Sequence, residues 1–250
     1  KTNLTESQLS TEAGLGSSQL ESDPIVFTQV VQLEGAQEVP AAQTETKGIA
    51  ILRVSKSKKL YSKIIIQKLA EGDALRFAHV HAGMAGMNGT FFVNAALRGT
   101  DNAMIGPFKS QNEGVFFVDR DARRLEKLIG RPLIAWNETK ISVAPFSSEA
   151  LNSEDGVRQL LPEFTDCFLA GAWIVHNGEA RSRSEISTAA AGDFNDPRKR
   201  AFFGWKSDGT LVYGATQNVI TTSAMARGAA AAGLQEAFLM DSGFSTSIVF

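Results

Sequence analysis

The residue best placed for acid–base chemistry is Asp241, which follows the apolar run Ala237-Phe-Leu-Met and precedes a Ser-Gly-Phe-Ser turn. Four apolar residues are too few for a helix and predict a strand, so the carboxylate lies where a buried strand ends. A charge in that position is costly unless it is paired or hydrogen-bonded. Two interpretations stay open: Asp241 caps its own glycine-containing turn, or it is the acid or base group of a site.

Arg200 is a candidate for binding an anion, because a guanidinium offers two parallel hydrogen bonds to a phosphate or a carboxylate. It ends the basic triplet Arg198-Lys199-Arg200, so the alternative interpretation is a solvated basic surface cluster. Other polar residues supply neutral donors or a second carboxylate. The candidate donors are Asn88, Asn177, Gly243, Ser245 and Thr246, and the candidate acids are Glu179 and Asp193.

His79 and His81 stand two residues apart, so on a strand they face the same side and could hold one metal ion. Hydrogen-bonded structural histidines give the same pattern, and nothing nearby supplies further ligands. We therefore assign no metal ligand and expect no cofactor. The single cysteine, Cys167, excludes an internal disulfide, and its apolar neighbours predict a buried, unreactive thiol.

The elements that must position these residues are mainly short strands. β-Branched residues and turn-rich gaps predict consecutive antiparallel strands over 25–33, 48–54 and 60–69. Later strands are predicted over 114–119, 132–136, 140–144, 168–175, 201–205, 211–215, 237–240 and 247–250. Helices are predicted over 120–129, after Ser153, and from a cap at Thr222 or Ser223 to Gly233, whereas 181–200 is interpreted as a surface loop. The predicted fold class is α+β.

Composition limits the classes of function. With 250 residues and 43% apolar residues, the chain can bury a substantial core. The formal net charge of −2 gives no basic footprint, so nucleic acid is not an expected partner. Apolar runs fall short of the roughly 20 residues of a membrane-spanning helix. Residues 1–24 are polar and are predicted to form a flexible segment.

Several motifs stand out in the N-terminal part: Leu33-Glu-Gly-Ala-Gln-Glu38-Val-Pro40, Gly48, Leu60-Tyr61, and His79-Val-His81-Ala-Gly83-Met-Ala-Gly86-Met-Asn-Gly89. Together they resemble the chordin-type (CHRD) domain over about residues 28–97. That resemblance implies an extracellular, antiparallel, β-rich portion.

Four further motifs follow in order: Asn88-Gly-Thr-Phe-Phe92, Trp173-Ile-Val-His-Asn177-Gly178, Pro197-Arg-Lys-Arg200-Ala-Phe-Phe-Gly204, and Ala237-Phe-Leu-Met-Asp241-Ser-Gly243-Phe-Ser245-Thr246-Ser247. They resemble the phosphodiester glycosidase family over about residues 75–250. The resemblance implies hydrolysis of a sugar-1-phosphodiester, with Asp241 as the acid/base group and Arg200 on the phosphate. The family has Asp-Gly-Gly where this chain has Asp241-Ser242-Gly243.

These inferences predict a secreted or cell-surface protein in three parts: a flexible segment 1–24, a β-rich CHRD-like portion 25–97, and a mixed α/β glycosidase-like domain 98–250. The expected partner is a carbohydrate phosphodiester. One alternative is a non-catalytic extracellular adhesion module, whose altered turn reflects lost activity and whose open β edges pair into a homo-oligomer or filament. Another is a metal-binding β domain that uses His79 and His81.

Overall fold

The computed structural model describes residues 25–32, 48–54, 86–91, 105–111, 114–216, 219–243, 246 and 248–249. The strand predicted over 60–69, together with His79, His81 and Ser245, lies outside this part of the chain. None of the described helices combines the length and the apolar character needed to cross a bilayer.

The described elements are short. The strands are β1 (Ile25–Gln32), β2 (Gly48–Val54), β3 (Gly86–Met87), β4 (Phe108–Lys109), β5 (Phe116–Phe117), β6 (Pro132–Trp136), β7 (Ile141–Pro145), β8 (Asp166–Leu169), β9 (Ala172–His176), β10 (Glu179–Ala180), β11 (Ala201–Lys206), β12 (Leu211–Thr216), β13 (Leu234–Leu239) and β14 (Ile248–Val249). The helices are α1 (Ala122–Glu126), α2 (Ser148–Leu151), α3 (Glu154–Leu160), α4 (Arg183–Ser187) and α5 (Thr222–Ala231).

Two antiparallel sheets dominate the described part of the chain. The larger has seven strands in the order β1-β2-β12-β11-β13-β9-β10, and the smaller has five in the order β5-β4-β8-β6-β7. Strand β14 pairs with β3. Segregated helices on antiparallel sheets confirm the predicted α+β class. Strands β1 and β2 of the CHRD-like portion belong to the larger sheet, because β2 pairs with β12.

The side chains of the larger sheet divide between two cores by strand alternation. One face carries Trp173, Phe203 and Phe238, which pack on Ile134 and Phe168 of the smaller sheet. The opposite face contacts helix α5 through a separate cluster that includes Ile174, Phe202, Met225 and Leu239. The outer face of the smaller sheet contributes a third cluster, which includes Leu133, Leu151, Val157 and Cys167. The fold is therefore layered as helix, sheet, sheet, helices.

The strand predicted over 168–175 is wrong as a single element. The chain leaves the smaller sheet after β8 and enters the larger sheet at β9, with Ala170 and Gly171 between them. Gly171 permits this transfer because a Cβ there would lie 2.4 Å from the Phe91 ring. Both strands are buried on both faces, so the sequence shows one continuous apolar run.

The loop predicted over 181–200 contains helix α4. Ser182 and Glu185 form a reciprocal capping box, in which each side chain accepts from the backbone N–H of the other residue. The Ala-rich helix α5 is present as predicted, but its N-cap is Thr221 rather than Thr222 or Ser223. Thr221 Oγ1 accepts from Ala224 N at 3.1 Å, and the Thr222 and Ser223 side chains that follow are buried.

The buried carboxylate of Asp119 holds the chain segment that leads into helix α1. Arg124 donates to both of its oxygens at 2.7 Å, and the backbone N–H groups of Gly106 and Asp121 donate at 2.9 and 3.0 Å. Burial acts to raise the pKa of Asp119, but the hydrogen bonds and the charge of Arg124 outweigh it, so the pKa lies below its ordinary 3.8.

Asp119 should therefore make the stability of the fold depend on pH. Because its folded-state pKa is lowered, the carboxylate contributes stability above about pH 4, and this contribution is lost as the pH falls through the folded-state pKa. We expect Asp119→Asn to reduce the unfolding free energy by about 3 kcal/mol at pH 7 and to flatten its decline below pH 4. Urea titrations at pH 7, 5 and 3.5, with exposed Asp155→Asn as control, measure both effects. Parallel pH profiles for wild type and Asp119→Asn would contradict this expectation.

Candidate functional site

Asp241 lies just beyond the end of β13, where it meets the Asn88 segment. Asn88 Nδ2 donates to the carbonyl oxygen of Asp241 at 2.8 Å, and Asp241 N donates to the carbonyl oxygen of Gly89 at 3.2 Å. These bonds join two motifs that are 153 residues apart in the sequence. The structure therefore brings Asn88 and Asp241 together, through main-chain atoms of Asp241.

Arg200 directly precedes β11, the strand beside β13, and lies at the level of Asp241. In the β11–β13 register Phe202 stands opposite Leu239, and continuing that register places Arg200 opposite Asp241. Met240 N donates to Ala201 O at 2.9 Å and Gly243 N donates to Lys199 O at 2.8 Å, so backbone bonds flank the pair on both sides. Opposed residues of antiparallel strands have Cα atoms about 5 Å apart. Three of the four predicted motifs thus converge at one end of the larger sheet.

The Arg200 side chain is buried, with 2% of its surface exposed. Its guanidinium donates to the carbonyl oxygens of Asp196 and Ile220, and its backbone N–H donates to Thr216 Oγ1 at 2.7 Å. Lys199 is exposed and Arg198 pairs with Asp193 at 2.9 Å. The alternative of a solvated basic cluster is therefore wrong for Arg200.

The charge of Arg200 has no ion-pair partner among the described carboxylates. Burial and the nearby charge of Arg198 lower its pKa to about 10, while Asp193 and Asp196 act weakly in the opposite direction. The guanidinium remains protonated at neutral pH. The two bonds to carbonyl oxygens engage two of its five N–H groups. A buried cation without a carboxylate is costly, and it favours the presence of an anion close by.

The turn after Asp241 accommodates the serine that replaces a family glycine. Asp241 Oδ1 accepts from Ser242 N at 2.8 Å, and Ser242 Oγ donates to Met240 O at 3.0 Å. The left-handed backbone conformation occurs at Gly243, with φ of 79°, and not at Ser242. Asp241 therefore does cap its own turn, as the simpler interpretation holds, and the serine adds a hydrogen bond without strain.

Thr246 carries a buried hydroxyl with no hydrogen-bond partner. Among the described residues, its Oγ1 is the one buried side-chain polar atom in this state, although Thr246 N donates to Gly243 O at 3.2 Å. Such an atom costs about 1–3 kcal/mol of desolvation. The hydroxyl adjoins the Asp241 turn, in the motif that predicts substrate contacts. Ser245, the other predicted hydroxyl, lies outside the described residues.

Asn177 lies at the opposite end of β13 from Asp241. Its backbone N–H donates to Glu236 Oε1 at 3.1 Å, and Glu236 precedes Asp241 by five residues of extended chain, about 17 Å. The predicted hairpin turn is confirmed, because Asn177 and Gly178 have φ values of 53° and 81°. No described contact joins Asn177 to Asn88, Arg200 or Asp241.

A polar cluster that the sequence did not reveal surrounds Glu236. Its buried carboxylate accepts from Trp173 Nε1 at 2.6 Å and from Asn177 N, and His176 Nδ1 lies 3.1 Å from both oxygens. The Arg181 guanidinium lies 5.0 Å from the centre of the Trp173 ring. The cluster anchors the β9–β10 hairpin to β13. A lone acid within an apolar strand was the only signal for it in the sequence.

Arg131 is a second cation near the site, half-buried, that the sequence did not reveal. Its guanidinium lies 5.8 Å from the centre of the Phe91 ring, and Nε donates to Ala189 O at 2.8 Å. Burial lowers its pKa, and no carboxylate of the described residues pairs with it. Phe91 follows the Asn88-Gly-Thr segment, so Arg131 adds positive charge on that side of the site.

The remaining predicted residues lie elsewhere. Asp193 and Glu179 are exposed, and Asp193 pairs with Arg198. Cys167 is fully buried, as predicted, and burial raises the pKa of its thiol to about 12. His79 and His81 lie outside the described residues, so the metal interpretation stays a prediction.

Residues 30–133 match the family model of the CHRD domain. This confirms the resemblance of the N-terminal part, and it extends the matching stretch beyond the predicted end at residue 97. Among curated protein sequences, none matches the chain.

Solved structures that share the fold include the following three. The catalytic domain of zebrafish N-acetylglucosamine-1-phosphodiester α-N-acetylglucosaminidase, auto-inhibited by its pro-peptide, is 14% identical with a TM-score of 0.61, over 82% of this chain and 67% of that one. A hypothetical protein from Synechocystis is 11% identical with a TM-score of 0.61, over 89% and 57%. A Burkholderia pseudomallei protein described as exported is 10% identical with a TM-score of 0.54, over 82% and 69%. At these identities the likeness establishes the phosphodiester-glycosidase-like fold.

Proposed function

We propose that the chain hydrolyses a sugar-1-phosphodiester at the end of the larger sheet where Asn88, Arg200 and Asp241 meet. The single observation that carries this proposal is the hydrogen bonding to main-chain atoms that joins the three motifs. Asn88 Nδ2 binds Asp241 O at 2.8 Å, and Gly243 N binds Lys199 O at 2.8 Å. The likeness in fold to a catalytic domain favours an enzyme over a self-assembling module.

Asp241 supplies the carboxylate for the reaction. A phosphate monoester leaves readily as an anion, so breaking the bond between sugar C1 and the phosphate oxygen depends little on proton donation to the leaving group. Water must still add to C1 and lose a proton, and a carboxylate beside C1 accepts that proton or stabilises the cationic sugar. Asp241 is held for this role, because its backbone is fixed on both sides by Gly89 and Asn88.

Arg200 and Thr246 are the residues proposed to interact with the phosphate. Arg200 carries a buried positive charge at the level of the Asp241 turn, in surroundings where a charge acts more strongly than in water. It thereby stabilises the negative charge that develops on the departing phosphate. The unpartnered Thr246 hydroxyl would gain its hydrogen bond from a sugar hydroxyl or a phosphate oxygen. Asn88 and Gly243 are the further residues proposed to contact the substrate, together with Ser245 from the same sequence motif as Gly243. Asn177 would contact only a substrate that extends to the far end of β13.

We further propose that the protein works outside the cell or at the cell surface. The match to the CHRD domain and the likeness to a protein described as exported both support this location. The proposed arrangement is a β-rich portion 25–97 joined to a catalytic portion 98–250. Strand β2 lies in the same sheet as β11 and β13, which Arg200 precedes and Asp241 follows.

An isotope experiment tests the proposed reaction directly. The purified chain is incubated in ¹⁸O-water with the methyl phosphodiester of N-acetylglucosamine-1-phosphate, and products are followed by phosphorus NMR and mass spectrometry. We expect the released methyl phosphate to carry no ¹⁸O, because the bond that breaks is between sugar C1 and oxygen and the phosphate keeps that oxygen. The matched control, methyl N-acetylglucosaminide without phosphate, should not be cleaved. Label in the phosphate, equal cleavage of the control, or no cleavage of a panel of sugar-1-phosphodiesters would each refute the proposal.

A further inference from the structure

The loop between β6 and β7 carries the tripeptide Asn137-Glu138-Thr139. Asparagine followed two residues later by threonine, with a residue other than proline between them, is the acceptor pattern for N-linked glycans. The sequence contains two more such tripeptides, at Asn3-Leu4-Thr5 and at Asn88-Gly89-Thr90. The Asn3 tripeptide lies outside the described residues. The Asn137 and Asn88 tripeptides have different surroundings in the structure.

The Asn137 tripeptide is accessible, and its asparagine side-chain amide lies beside its threonine hydroxyl. Glu138, Thr139 and Lys140 are exposed, and Asn137 is half-exposed. Asn137 Oδ1 accepts from Thr139 Oγ1 at 3.1 Å and from the backbone N–H groups of Thr139 and Lys140 at 2.9 Å. The Nδ2 amide donates to Glu163 O at 3.1 Å on the surface, which uses one of its two N–H groups. The other N–H is available for substitution without loss of any of these bonds.

The Asn88 tripeptide has the opposite properties. Asn88 Nδ2 donates to Asp241 O at 2.8 Å within the site, and Thr90 is buried, with its hydroxyl bonded to the carbonyl oxygen of Leu169. A glycan on Asn88 Nδ2 would have to fit beside the Asp241 backbone. Folded chains that carry it are therefore not expected.

A glycan on Asn137 also leaves the site accessible. Ala170 N donates to Pro132 O at 2.9 Å, which places the first residue of β6 next to the Gly171 and Phe91 contact beside the site. Asn137 follows Pro132 by five residues of extended chain, about 16 Å, and lies beyond the far end of the strand. The end of β6 that leads into the Asn137 loop is therefore the end farther from Asp241.

We propose that Asn137 is the acceptor of an N-linked glycan when the chain is secreted through the endoplasmic reticulum. The donor is an oligosaccharide on a polyprenyl diphosphate. The Asn137 Nδ2 atom forms a bond to sugar C1, the bond between C1 and the diphosphate oxygen breaks, and the amide gives up one proton as the diphosphate leaves. This inference rests on the proposed secretion and not on the proposed activity.

Site mapping in a eukaryotic secretory host tests the assignment. The chain is secreted behind a signal peptide in an Asn3→Gln background, treated with an N-glycan amidase in ¹⁸O-water, and analysed as peptides. We expect labelled conversion of residue 137 to aspartate, and none at residue 88. Thr139→Ala should abolish the label and Thr139→Ser should keep it, at secretion levels comparable with the parent.

An unlabelled peptide at 137 in the secreted parent chain, or labelling at 88 alone, overturns the assignment. Retention of the label in Thr139→Ala also overturns it. Because the readout is a peptide mass and not turnover, an inactive but glycosylated protein would refute the proposed hydrolysis while supporting the glycan at Asn137.

Discussion

Asp241→Asn is expected to lower kcat/KM for a sugar-1-phosphodiester by about a thousandfold while leaving the fold intact. Asparagine keeps the side-chain oxygen that accepts from Ser242 N, and the bonds of Asn88 and Gly89 to residue 241 involve its backbone. The substitution therefore removes the negative charge and the proton acceptor while keeping these hydrogen bonds. Steady-state kinetics and thermal unfolding of the two proteins measure the two parts of the expectation.

Asp208→Asn provides a matched control for the turn. Asp208 also caps a turn, where its Oδ1 accepts from Thr210 N at 2.9 Å, but it lies on an exposed hairpin remote from Asp241. Its activity should equal that of wild type. If Asp241→Asn kept wild-type kcat/KM, or if it lost activity only in proportion to lost folded protein, Asp241 would be a structural cap and nothing more.

Arg200→Met is the second substitution with a large expected effect, and its effects on activity and stability should diverge. Methionine approximates the length of the arginine stem and removes a buried charge that lacks a carboxylate partner. Replacing a buried charge with a packed apolar side chain is often neutral or stabilising. The carbonyl oxygens of Asp196 and Ile220 lose donors, at a cost of about 1 kcal/mol each.

These opposing terms should leave the unfolding free energy of Arg200→Met within about 2 kcal/mol of wild type. Turnover of the phosphodiester should nevertheless fall more than about a hundredfold, because the positive charge proposed to stabilise the departing phosphate is gone. Arg158→Met is the control, since Arg158 is exposed and pairs with Glu154 at 2.7 Å. A strongly destabilised Arg200→Met protein whose remaining folded fraction is fully active would assign Arg200 to the fold alone.

The parts of the fold that the sequence predicts are those governed by local chemistry. β-Branched runs separated by turn residues identify most strands, and Asn177-Gly178 identifies its hairpin because the left-handed conformation suits those two residues. The division of 168–175 into β8 and β9 could not be predicted. It depends on Phe91 packing against Gly171, a contact between segments 80 residues apart in the chain.

The same distinction applies to the candidate site: features set by the local sequence could be predicted, and features set by distant contacts could not. The strand that delivers Asp241 and the turn that follows it are visible in the sequence, and so is the order of the motifs. The burial of Arg200 is not visible, because a basic triplet in a polar stretch usually lies in solvent. Arg131 and the Glu236 cluster are also hidden, since each depends on partners that only the folded sheet brings near.

The pairing of β2 with β12 determines which fragments of the chain can be produced without the rest. A fragment that starts after Val54 would leave β12 as an edge strand, with a row of backbone donors and acceptors exposed. Such edges recruit strands from other molecules and promote aggregation. Recombinant production of the catalytic portion should therefore retain residues 25–54, even though all three residues proposed for the chemistry lie beyond them.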